Sequence, residues 1–127
     1  MTNGIRVRAA ATLLPNESDP EAGEHVYAYR VRIMNEGTAP VRLLSRHWVI
    51  LDAHNHREDV VGEGVVGKQP DLAPGEMYEY VSRCPLRTEW GTMEGTYAFQ
   101  NPDGTLFDVQ IGRFFLVPSK TGASAAD

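Results

Sequence analysis

Apolar and polar residues exchange places at every second position over most of the chain. A period of two belongs to strands half-buried against a core, not to helices. Ile5, Val7, Ala9, Ala11 and Leu13 alternate with Arg6, Arg8, Ala10 and Thr12. Tyr27, Tyr29, Val31 and Ile33 alternate with Ala28, Arg30, Arg32 and Met34. A third strand is predicted over Val41 to Asp52, with Val41, Leu43, Ser45, His47, Val49 and Leu51 on one face. Arg42, Leu44, Arg46, Trp48, Ile50 and Asp52 are expected on the other. Apolar bulk on both sides near Trp48 implies cover from both faces. Further strands are predicted over Met77 to Cys84, Thr92 to Phe99 and Leu106 to Val117, with a short edge strand over Glu58 to Val61. Gly112 marks a candidate bulge in the last of these.

Turn signals separate the strands. Pro15 to Glu24 reads as an acidic loop, and Asn35-Glu36-Gly37 as a turn. Ala53 to Arg57 reads as another turn, and Asn101-Pro102-Asp103-Gly104 as a hairpin. Gly62 to Gly75 carries glycines and two prolines, which predicts a shaped loop without regular structure. No helix-period window appears. The pattern predicts an all-β, immunoglobulin or fibronectin type III-like sandwich of two antiparallel sheets. With 127 residues the chain is one domain. Its core is expected over about residues 5–117, with 118–127 a flexible tail of small polar residues.

Charge and cysteine content narrow the function classes. Acidic residues outnumber basic ones 17 to 12, giving a net charge of −5. That balance argues against a nucleic-acid reader, although a local basic stripe is compatible with it. Cys84 is the single cysteine, so no intrachain disulfide forms, which fits a reducing compartment. No signal peptide or 18-residue apolar run is present, and the expected location is the cytoplasm, away from membranes.

The ordered blocks Arg46-His47-Trp48, Gly62 to Pro70, Leu72-Ala73-Pro74-Gly75, Tyr78-Glu79-Tyr80, Gly91 to Tyr97 and Phe114-Phe115-Leu116 together resemble the bacterial ApaG (CorD) family. The resemblance spans roughly residues 5–117. It implies a fibronectin type III-like fold, protein-binding behaviour in related eukaryotic domains, and a link to cobalt and magnesium tolerance. It also implies gene neighbourhood with a diadenosine tetraphosphate hydrolase. No catalytic residue set comes with it.

Three groups of residues are candidates for function. Gly62, Gly64 and Gly67 fit G-x-G-x-x-G, but Pro70 and Pro74 forbid the helix that a dinucleotide-binding motif needs. What survives is a nest of glycine amides beside Lys68, able to cradle the pyrophosphate of a nucleotide; the alternative is a purely structural turn. Arg42, Arg46 and Trp48 would form an interaction surface for a protein partner if exposed, with a core tryptophan rimmed by arginines as the alternative. His54 and His56, near Asp52 and Asp59, raise the question of a metal, but no cysteine joins them, and neither a metal nor a cofactor is expected. Cys84 lacks a paired base, and no serine or carboxylate constellation appears. A non-enzymatic protein-binding module is therefore expected, with a pyrophosphate-nucleotide sensor as the alternative.

Overall fold

The computed structural model describes residues 3–118. Among the described residues there are eight strands, β1 (Ile5–Leu13), β2 (His25–Asn35), β3 (Val41–Asp52), β4 (Arg57–Glu63), β5 (Asp71–Leu72), β6 (Met77–Leu86), β7 (Gly91–Gln100) and β8 (Leu106–Leu116). Two antiparallel sheets result. One has the order β1-β2-β6; the other has the order β4-β3-β7-β8, with β5 added beside β3. This is the expected fibronectin type III-like sandwich. No helix among the described residues is long and apolar enough to cross a membrane.

Several boundaries differ from expectation. The acidic loop holds two 3-10 turns, Pro15–Glu17 and Pro20–Ala22. The edge strand β4 is longer than the apolar pattern showed, because its exposed charged residues still pair along β3. The segment expected to lack regular structure contains β5, which pairs Asp71 with Arg42 and Leu72 with Val41. From residue 119 onward the expected tail lies outside the described residues.

The largest correction concerns β3. Val41 and Leu43 point inward, and so do Trp48 and Ile50, although these pairs differ in parity. The pairing with β7 slips between Leu43 and Ser45, so Leu44 is an extra residue. Such a bulge exchanges inward and outward faces. Arg42 and Arg46 therefore do not share a face. β8 carries a matching irregularity opposite Met93 and Gly95, at Gly112 and Arg113. It lets Val109, Ile111, Phe114 and Leu116 all face the core.

Trp48 is the centre of that core, with 1% of its surface exposed. Its indole meets Tyr29, Phe114 and Tyr97 edge to face, at centroid distances of 5.5, 5.8 and 6.1 Å. Each such pair contributes about 0.5–1.5 kcal/mol beyond buried area. Opposite Trp48 on β7 stands Gly95, where a Cβ would collide with the carbonyl oxygen of His47. The two backbones approach too closely for any side chain. Gly95→Ala should therefore lower unfolding stability by about 2–3 kcal/mol, measured by urea denaturation; a change under about 0.5 kcal/mol would contradict the close approach.

Candidate functional site

The two sheets close together on one side, where β1 meets β8. On the other side both sheets end in a strand that pairs on one flank only, β4 in one and β6 in the other. Between these two edges the core opens into a cleft. A cavity of about 220 Å³ is lined there by Tyr29, Trp48, Val60, Tyr80 and Cys84, with Arg46 and Val66 on its wall. A wider hollow follows at the end formed by Asp52, His56, Glu58, Leu86 and Arg87.

The glycine motif borders this cleft, and each glycine has a local reason. The guanidinium of Arg46 lies against Gly62, where a Cβ would come within 2.8 Å of its nitrogens. Gly64 has φ of +64°, and a Cβ there would collide with the carbonyl oxygen of Lys68. Val66 and Gly67, with φ of +48° and +78°, are the central pair of a two-residue turn closed by mutual bonds between Val65 and Lys68. Positive φ at both centres is the geometry in which Asn-Gly is favoured, and a β-branched valine at the first is strained. The amide of Gly64 donates to Leu44 O at 2.7 Å, Val65 N to Lys68 O at 2.7 Å, and Lys68 N to Val65 O at 3.0 Å. These donors are already engaged within the fold.

Arg46 is the candidate residue that a strand-face reading misplaces. The bulge turns it toward the cleft, where its Nη1 donates to Glu63 O at 3.1 Å and Gly64 O at 2.9 Å. Among the described residues no carboxylate lies within ion-pair distance of it, whereas Arg42 is bound to Asp71 at 2.7 Å. Trp48 is a core residue, the second of the two readings weighed for it, and does not form an exposed interface with the arginines. Its Nε1 is the one buried side-chain nitrogen or oxygen without a hydrogen-bond partner among the described residues. Tyr80 and Tyr97 join hydroxyls behind the cavity. Burial raises the pKa of Tyr29, Tyr80 and Tyr97, while the charge of Arg46 acts in the opposite direction.

The histidines form no cluster. His54 and His56 lie in a turn whose amides donate to Asp52 Oδ1 at 2.8 and 2.9 Å. His47 is bound to Asp59 at 2.7 Å on the outer face. Asp59 is held well below the usual carboxylate range by Arg57 first and His47 second. Among the described residues no three potential metal-ligating side chains converge. A basic stripe does exist. Arg6, Arg8, Arg30, Arg32 and Arg83 share the outer face of the β1-β2-β6 sheet, answered by Glu36, Glu79 and Glu17. The alternation of β1 and β2 shows it in the sequence, once the two strands are known to be neighbours.

The ApaG domain family matches residues 15–101. Protein ApaG of Anaeromyxobacter dehalogenans strain 2CP-C is 50% identical over 117 residues, covering 92% of both chains. Protein ApaG of Bordetella pertussis is 45% identical over 117 residues, covering 92% of this chain and 89% of that one. The crystal structure of an ApaA protein from Bordetella pertussis superimposes with a TM-score of 0.89 at 45% identity, covering 92% of this chain and 95% of the other.

Two measurements check the site. Gly64→Ala should cost more than 2 kcal/mol, because it adds a backbone collision to the roughly 1–2 kcal/mol of a left-handed non-glycine residue. Gly67→Ala, with nothing within 4 Å of the added carbon, should cost the conformational part alone. Equal costs in chemical denaturation would contradict the collision. Burial pushes the Cys84 thiol up to about 12, so native protein should leave a disulfide reagent unreacted at pH 8 and react only after unfolding.

Proposed function

The chain belongs to the ApaG domain family, and we propose that it is a non-catalytic module that binds a protein partner at the open side of its sandwich. One observation carries this reading: the sheets part between the edge strands β4 and β6, which leaves a cleft into the core with exposed apolar side chains beside it. Val66 at the rim of the cleft is 57% exposed, and Val61, beside His47 on the outer face of the edge strand β4, is 72% exposed. Unpaired edges and apolar rims are surfaces that partners cover.

The residues that chemistry would need support the same reading. Cys84 is a buried thiol far from its reactive form, and the histidines are spread over a turn and an outer face. On this reading the link to cobalt and magnesium tolerance acts through the partner and not through a metal held by this chain. A lone buried cysteine fits work in the reducing cytoplasm. The alternative, a pyrophosphate-containing nucleotide on the glycine turn beside Lys68, has weaker support, because the amides of Gly64, Val65 and Lys68 already donate within the fold.

Affinity capture from a bacterial lysate with wild type and with the double variant Val61→Lys, Val66→Asn tests the proposal. Asparagine tolerates positive φ, so the turn is kept while the exposed valines of the rim and of the β4 edge are lost. A protein retained by wild type and lost by the variant is the expected result. The same proteins on both, or none on either, would overturn the reading.

A further inference from the structure

The polar groups of the cleft are unbalanced. Arg46 is a half-buried guanidinium with five donors; among the described residues only its Nη1 is engaged and no carboxylate is in reach. Trp48 lines the same cavity, but its unpartnered indole N–H is fully buried and offers no surface to it. Of the other charged groups on its wall, Arg83 is bound to Glu17 at 2.7 Å. Glu58 is the wall's one carboxylate. It pairs with Ile50, whereas Arg46 pairs with Gly62, four residues further along β4. At about 3.3 Å per residue that separates them by roughly 13 Å.

The site therefore offers a cation, Arg46, with no carboxylate in reach among the described residues. An un-neutralised half-buried cation is unfavourable until a counter-charge arrives. Most of the remaining wall is aromatic and aliphatic, with Ser82 and Cys84 among it. An engineered apolar cavity of roughly 150 Å³ takes up benzene; the 220 Å³ here leaves room for a ring and one small polar group. Val66, held at positive φ, adds its side chain to the mouth. Strained backbone of this kind clusters at ligand clamps.

We propose that this cavity binds a small apolar monocarboxylic acid, its ring or chain between the sheets beside Trp48 and its carboxylate on Arg46. The carboxylate supplies the counter-charge that Arg46 lacks, and the planar guanidinium can hold it by two parallel bonds. This binding does not depend on a protein partner.

Titration of the isotope-labelled full chain with sodium phenylacetate, followed by nuclear magnetic resonance, tests the assignment. The indole N–H of Trp48 and the Nε–H of Arg46 should shift saturably. The indole of Trp90, which is 42% exposed and absent from the cavity wall, should stay in place. Phenylacetamide, the neutral analogue, should bind at least tenfold more weakly, and Arg46→Gln should weaken phenylacetate by a similar factor. No shift at millimolar phenylacetate, or equal affinity for acid and amide, would overturn the proposal. If Arg46→Gln does not fold, the acid-against-amide comparison on the wild type still decides. A short peptide ending in phenylalanine should bind more weakly than the free acid; tighter binding would overturn the assignment to a free acid.

Discussion

The bulge at Leu44 is the hinge on which both core and cleft depend. Without it the inward parity of Val41 and Leu43 would run on to His47 and Val49. Trp48 and Ile50 would then face solvent. With it, one strand contributes inward side chains of both parities, and the indole can meet Tyr29 on the opposite sheet. A bulge leaves a carbonyl outside the regular ladder, and a buried carbonyl needs a donor. Leu44 O accepts from Gly64 N at 2.7 Å and from the Gln69 side chain at 2.9 Å. The glycine turn thus satisfies the irregular backbone of its neighbour. That gives the motif a structural purpose unrelated to phosphate.

The sandwich was legible because alternation survives wherever a strand is half-buried. Turn chemistry placed most of the breaks, and Gly112 announced the irregularity of β8, since a glycine inside an apolar strand is an unusual choice. Nothing comparable marks Leu44. It is an ordinary strand residue in an ordinary strand sequence, and its doubling against β7 is decided by tertiary pairing. The faces of β3 were therefore misread from Ser45 onward, and Arg42, Arg46 and Trp48 were grouped on one surface. β5 was hidden for a related reason: two residues cannot display a period, and Asp71 and Leu72 are held to β3 by tertiary contacts, among them the bond from Leu43 N to Pro70 O at 3.0 Å and the Arg42–Asp71 ion pair.

The candidate site was less legible than the fold. Spacing drew attention to the glycines, and the structure assigns each of them to backbone geometry or to the room that Arg46 needs. The residue with unspent chemistry is Arg46 itself. An unpaired arginine cannot be told from a paired one in sequence, because the carboxylates that neutralise Arg42, Arg57 and Arg83 come from three different segments. The unpartnered indole nitrogen is invisible for the same reason. Satisfaction of hydrogen bonds is a property of the packed molecule.

An open side is hazardous for a sandwich, because unpaired edges invite pairing with another chain. Here the hazard is countered along the strands. β4 begins with Arg57, Glu58 and Asp59, all exposed, and β6 carries Glu79, Arg83 and Pro85. Charges and a proline make indiscriminate strand addition unfavourable at both edges. The cleft between them has no such protection: most of its wall is aromatic and aliphatic, and Arg46 has no counter-charge among the described residues. With both edges made poor templates for strand addition, the cleft and Arg46 are what the open side has left to offer a binding group.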